Sequence, residues 1–390
     1  MSILLLIGTR KGLFLARPPG PPADAPADQP AGPSAGPSAR QASGWQLEGP
    51  IFAMNEVPAV GVVAGPDGGA APRLLAGVRS EHWGPTVARS DDLGATWQET
   101  DHGSIRFPAD AGAALARVWQ LQGDPARPGV VYAGCEPTSL WRSTDAGETF
   151  DLVRGLWDHP HRQRWEPGFG GAAVHTVVTD PDDGARVLVA MSTGGVYRTD
   201  DGGLSWSPSN HGISAYFLPD PQPEFGQCVH KVAVDAAGPH RLYAQNHHGV
   251  YRSDDGGSRW LSIADGLPSD FGFVMLAHPR RPGVAWVVPL EADARRVPPG
   301  GRLRVHRTQD AGQSWKECAE GLPDGAWTVV LRDAATVVDR GPDEPVVLAF
   351  GTRDGCVYAS TDDGDSFEQV AAHLPDVLSV RGLPLAPAGA

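Results

Sequence analysis

The octapeptide Ser253-Asp254-Asp255-Gly256-Gly257-Ser258-Arg259-Trp260 decides the fold, because close copies of it recur at nearly constant spacing along the chain. Further copies begin at Ser90, Ser143, Thr199, Thr308 and Ser360, giving six instances of S/T-x-D-x-G-x-S/T-W/F at intervals of 52 to 56 residues. A period of that length marks the blades of a propeller rather than a string of separate globular domains. Each copy carries turn chemistry. An acid accepts backbone N–H groups, a glycine supplies positive φ, a hydroxyl bonds locally, and an aromatic packs between neighbouring sheets. Six acids on six separate turns are too far apart to form one catalytic pair, so the motif reads as scaffolding.

Working outward from Ser253, an apolar stretch at 228–234 (CVHKVAV) precedes short strands at 241–245 (RLYAQ) and 249–252 (GVYR), and a fourth strand starts at Trp260. These are strands A to D of one blade, with the box as the C–D turn. The B and C pattern recurs at 131–134 and 140–142, at 187–190 and 196–198, and at 347–350 and 357–359. It also appears at 5–9 and 12–15, with Trp45 opening a D strand but no box between, so a seventh blade precedes the six. There the turn is replaced by a Pro/Ala/Gly/Ser tract, 18–43, which buries no apolar surface and reads as a flexible inserted loop. The chain enters at a B strand, and residues 376–383 are left over in the A position. Pairing the two ends would close the ring and remove an open sheet edge. The expectation is an all-β, seven-bladed β-propeller with four-stranded antiparallel blades, closed by N- and C-terminal strands, as a single domain over 1–390.

Composition limits the partners. Against 32 basic residues stand 46 acidic ones, a formal charge of −14, which argues against nucleic acid or an anionic membrane as main partner, though a local basic patch can persist. The four cysteines (Cys135, Cys228, Cys318, Cys356) show no C-x-x-C spacing and read as reduced thiols. The apolar run Ile3 to Ile7 is too short for a leader or a span, and the expected location is cytoplasmic.

The boxes resemble the Asp boxes of the BNR-repeat superfamily over nearly the whole chain, and GTRKGLF (8–14), EHWGP (81–85), CVHK (228–231) and QNHHGVYRSDDGG (245–257) resemble a bacterial exo-alpha-sialidase-like, BNR-repeat glycosyl hydrolase group. The superfamily includes sialidases, xyloglucanases, the sortilin ectodomain and photosystem II assembly factors. The resemblance implies a glycoside-hydrolase-like protein that binds or hydrolyses a small polar, carbohydrate-like ligand; its other branch implies a non-catalytic scaffold with a protein partner. Fold alone does not choose between them. Sialidases resemble one another in an R-I-P motif, an arginine triad and a Tyr nucleophile paired with an acid. No R-I-P occurs here, Tyr216 is the one tyrosine outside repeat strands, and Arg10, Arg79 and Arg353 occupy equivalent B–C loops of three consecutive blades.

Function is expected where the D–A and B–C loops meet at the channel mouth, opposite the boxes. The D–A connection 151–173 carries His159, His161, Trp165 and Glu166, and that of 207–227 carries Tyr216 and Glu224. Both are long for such connections. They lead into A strands with His175 and His230 at equivalent positions, while B–C loops offer Glu81-His82-Trp83, Glu136 and His247. Three readings remain open. Glu136, Glu166 or Glu224 could serve as acid and base, with Trp83 and Trp165 stacking on sugar rings. His175, His230 and His247, with carboxylates or Cys228, could hold a divalent transition metal. Alternatively His175 and His230 are satisfied histidines between blades. His211, His240, His306 and His373 read as solvated.

Overall fold

The computed structural model describes residues 2–19, 39–40, 44–65, 71–100, 103–292 and 294–385. Its strands form seven antiparallel sheets arranged as blades. In blade 1 the order from the axis outward is Val377–Leu385, Ser2–Thr9, Gly12–Arg17 and Gln46–Ile51, so the C-terminal strand is innermost and pairs with the N-terminal one. The closure expected from the leftover segment is present. Most of the 18–43 insert lies outside the described residues; within it, Ala39–Arg40 adds a two-residue strand against Gln46–Ile51.

Blades 2 to 7 follow in chain order, each built A to D, with innermost strands Glu56–Ala64, Arg117–Gly123, Val174–Thr179, Val229–Val234, Phe271–Ala277 and Val330–Val338. The second strands, such as Val187–Met191 and Val347–Thr352, are buried along their whole length because neighbouring blades cover both faces. This is why they read as unbroken apolar runs rather than alternating ones. Outer strands such as Gln98–Glu99 and Leu261–Ser262 are two residues long and exposed. Short edges of this kind resist pairing with another chain.

The boxes make the turns that their residues require. Ser253 Oγ donates to Asp255 Oδ1 at 2.8 Å and accepts from the Gly257 N–H at 2.8 Å, while the Arg259 N–H donates to the same carboxylate at 2.8 Å. Elsewhere the last polar residue adds its hydroxyl, as in Thr96 Oγ1 to Asp92 Oδ2 at 2.6 Å; Arg259 keeps only the backbone bond. The Thr96 hydroxyl and N–H, with Ser90, pull the Asp92 carboxyl down to about 2. All six box glycines, from Gly94 to Gly364, have φ between 86° and 95°, where a side chain would be strained. Trp97 and Trp206 donate within their own turns, to the Gly94 and Gly203 carbonyls, but Trp260, 1% exposed, tethers its blade to the previous one, donating from Nε1 to the Ser209 carbonyl at 2.8 Å. Trp315 does the same to Ile263 at 2.7 Å. Of the four histidines expected to be solvated, His211, His240 and His373 are exposed, but His306 is buried, because the strand Val305–Thr308 lies inside its blade.

Two expectations follow from this architecture. Asp145 accepts from the Ser143 and Thr149 hydroxyls and from the Glu148 and Thr149 amides, and Asp145→Ala should lower stability by about 1–3 kcal/mol in chemical denaturation. Truncation before Asp376 removes the strand that buries Val377, Val380 and Leu383, with an expected loss of roughly 5–9 kcal/mol on side-chain burial alone. An unchanged melting temperature would contradict the ring closure.

Candidate functional site

Each innermost strand carries a register shift against its neighbour at the same end of the channel. In four strands the extra residue is a single one: Trp119, His175, His230 and Leu378. In blades 2 and 6 it falls within 57–58 and 273–274, and in blade 7 the excess lies within 331–334, which holds Arg332 and Asp333. A bulge bends its strand and re-aims a side chain. Here the shifted positions ring the axis.

Two adjoining cavities open there. One, of about 330 Å³, is lined by Pro58, Trp119, Phe273, Arg332 and Leu378 from the shifted positions, and by Arg10, Arg117 and Arg353. The other, of about 340 Å³, shares Phe169, Phe273, Arg296 and Arg332 and adds Cys228, His230 and His247. Guanidinium groups and rings alternate across the shared wall. Arg117 lies 5.2 Å from the Trp119 ring, Arg332 lies 5.3 Å from Trp119 and 5.4 Å from Phe273, and Arg296 lies 5.7 Å from Phe273 and 5.3 Å from Phe169. Cation–π contacts of this length hold both partners in place.

The floor is a buried ion triad. Asp333, on the wall of the first cavity, accepts from Lys231 Nζ at 2.9 Å and Arg381 Nη2 at 2.6 Å. Lys231 and Arg381 line a separate space at the box end of the channel, so the triad divides the channel in two. Burial alone would raise the Asp333 pKa, but Arg381 and Lys231 outweigh it and hold the carboxyl below the ordinary carboxylate range. Arg332 has no such partner: among the described residues no carboxylate lies within ion-pair distance, and its Nε makes no hydrogen bond. Burial presses its pKa down, opposed by Cys228 and Asp333.

The structure brings some sequence candidates together and separates others. Arg10 and Arg353 meet on Asp376, at 3.6 and 2.8 Å, and both line the mouth. Arg79 sits at the end of the strand Pro72–Ser80, tied to Glu56 at 3.2 Å, and does not line the cavity the other two share, so the three form no single clamp. Glu56 is also held by Arg117 at 2.9 Å. Glu81, His82 and Trp83 form an exposed turn, with the Trp83 ring 92% exposed. Glu136 accepts from Trp119 Nε1 at 3.1 Å, whereas Glu166 and Glu224 are exposed; none of these three lines either mouth cavity. His159, His161 and Trp165 pack on Tyr197 instead of facing the channel: His161 Nδ1 lies 2.9 Å and Trp165 Nε1 3.0 Å from its hydroxyl. Tyr216 is exposed, edge-on to His248 at 5.3 Å.

Of the histidines expected at equivalent positions, both occupy the shifted site. His230 bonds through Nδ1 to the Gly272 carbonyl of the next blade at 2.5 Å, while among the described residues neither ring nitrogen of His175 has a hydrogen-bond partner. Burial, with Arg332 nearby, keeps both imidazoles far below the ordinary histidine pKa. His175 does not join His230 and His247; Cys228 does. Sequence reading missed Arg332, Arg296, Arg117 and the Asp333 triad. The available signal was register, since Arg332 and Trp119 follow an apolar residue at the start of an A strand as His175 and His230 do.

Asp333→Asn should leave buried cations uncompensated and cost about 3–5 kcal/mol in urea denaturation, and Lys231→Met in that background should recover part of the loss. If Asp333→Asn alone is as stable as the native chain, the triad does not hold the floor.

No family model matches the chain. An oligoxyloglucan-reducing end-specific xyloglucanase of Emericella nidulans is 25% identical over 253 residues, which cover 55% of this chain and 29% of the relative. The chain thus spans under a third of that relative's length. Among solved structures, an ancestral GH74 enzyme gives a TM-score of 0.52 at 17% identity, covering 87% of this chain and 39% of that one. YCF48 from Cyanidioschyzon merolae gives 0.53 at 14% identity, over 82% of this chain and 87% of its own. The propeller of this chain is similar in fold to both a GH74 enzyme and YCF48.

Proposed function

We propose that this propeller is glycoside-hydrolase-like in form and binds a carbohydrate carrying a carboxylate or other anionic group at the channel mouth. The observation that carries this reading is Arg332, a partly buried guanidinium without a counter-ion among the described residues, set between the Trp119 and Phe273 rings on the cavity wall. A buried charge left unpaired is expensive, and an anionic ligand would relieve it while the rings cover apolar sugar faces. Rings at the exposed surface, Trp83, Phe169, Tyr216 and Trp327, offer further stacking platforms. The likeness to xyloglucanases supports a glycan as ligand class.

Binding is favoured over hydrolysis by the carboxylates. Glycoside hydrolysis needs a pair flanking the bond, one of them protonated. The carboxylates on the cavity wall, Glu56 and Asp333, are instead each held by two cations. A second reading, a peptide or protein partner, is favoured by the 69–92% exposure of Trp83, Phe169 and Trp327, which a protein surface could cover.

Calorimetric titration with neutral xyloglucan oligosaccharides, uronate-containing oligosaccharides and a sialoside tests the proposal. The acidic glycans should bind, and Arg332→Met should weaken them at least about tenfold, or about 1.4 kcal/mol. Equal binding of neutral and acidic sugars, or no effect of Arg332→Met, would refute an anion site. Turnover of an aryl glycoside abolished by Glu136→Gln would instead establish hydrolysis.

A further inference from the structure

We propose that Cys228, His230 and His247 form a binding site for a d10 transition ion, zinc(II) or copper(I), with its remaining coordination position open to the channel mouth. One ligand atom from each residue lies within 4.8 Å of the others. A tetrahedral site with zinc bonds of about 2.0–2.3 Å needs roughly 3.3–3.8 Å between its ligand atoms. Closing the difference takes shifts of about an ångström, within reach of χ rotation in three side chains.

All three ligands come from one hairpin, and its pairing assembles them. Val229 pairs with Asn246, so Cys228 and His247 are the next residues outward on the two strands, and the His247 N–H donates to the Cys228 carbonyl at 2.9 Å. The register shift after Val229 inserts His230 on the same side. The contact between His230 Nδ1 and the Gly272 carbonyl, at 2.5 Å, requires the proton on Nδ1 and leaves the lone pair on Nε2. A ligating histidine is commonly oriented in this way, by donating its other N–H to a backbone carbonyl.

The surroundings fit an ion with a vacant position. Phe273 lies 4.6 Å from the His230 ring, and Phe271 lies 5.6 Å from His230 and 5.2 Å from His247, packing apolar surface against the imidazoles. The ligands face the cavity of about 340 Å³. Structural zinc sites are closed by protein ligands, whereas a site that leaves a position to water or ligand has three. Thiolate with imidazole selects zinc and copper(I) over magnesium or calcium. Arg296 and Arg332 also line this cavity. Their charges would draw an anion to the open position. The site stands independently of the glycan reading.

The test uses the full chain without an affinity tag, stripped by chelator and then supplied with zinc(II), with copper(I) under reducing anaerobic conditions, or with magnesium(II). After desalting, the native chain and Cys135→Ala should retain about one equivalent of zinc or copper(I) and no magnesium. The double variant Cys228→Ala, His247→Ala should retain less than about a tenth. Which ion is held more tightly in competition identifies the occupant. Retention below about a tenth of an equivalent of both ions by the native chain, or equal retention by the double variant, overturns the site. Should the double variant fail to fold, cobalt(II) added to the native chain decides: a thiolate-to-cobalt charge-transfer band with tetrahedral d–d absorption supports the site, and cobalt binding without that band refutes it.

Discussion

Much of this molecule depends on the pairing of its first strand with its last. Ser2–Thr9 and Val377–Leu385 close the ring, and the same C-terminal segment furnishes parts of the site. Asp376, just before that strand, gathers Arg10 and Arg353 at the mouth, and Arg381 within it completes the ion triad on Asp333. Leu378 is its shifted residue on the cavity wall. Closure and site construction are thus one event: the mouth is complete only when the ends of the chain have met.

Around the axis, the shared device is a surplus of backbone. Seven innermost strands narrow toward the channel, and each takes up at least one extra residue against its straighter neighbour. The surplus breaks the alternation of a strand at one level and re-aims a side chain there. What stands at that level differs from blade to blade: leucine, tryptophan, histidine, phenylalanine, arginine. The scaffold repeats while the functional surface does not, which lets one architecture present a chemically asymmetric pocket.

Electrostatics sharpen the contrast. The chain is acidic overall, at −14, yet five arginines line the paired cavities. Three have a carboxylate partner, Arg10 and Arg353 sharing Asp376 and Arg117 sharing Glu56 with Arg79, and the triad below sets one carboxylate against two cations. Arg332 stands apart. Its packing between two rings keeps it in position at a charge cost that the fold alone does not offset, and this makes it the focus of the pocket. A cavity of about 560 Å³ between blades 4 and 5 on the box face lacks this character, since Arg186 and Arg198 there already pair with Asp180 and Asp200.

The sequence by itself determined the blade count, the strand order, the box turns and the closing strand. Each of these rests on local chemistry repeated at fixed spacing: a glycine that must adopt positive φ, an acid that must accept turn amides, an aromatic at the end. It also placed His175 and His230 at one level of adjacent blades, because equivalent positions in a repeat are legible without coordinates. Tertiary structure decided which candidates meet. His159, His161 and Trp165 looked like a site and instead pack on Tyr197, since a long loop can fold back on its own blade. Arg332, Trp119 and Phe273 carried no motif, because a surplus of one residue, or of three in blade 7, leaves no mark in composition or period. Only the register between paired strands, set by long-range packing around a closed ring, brings them to one wall.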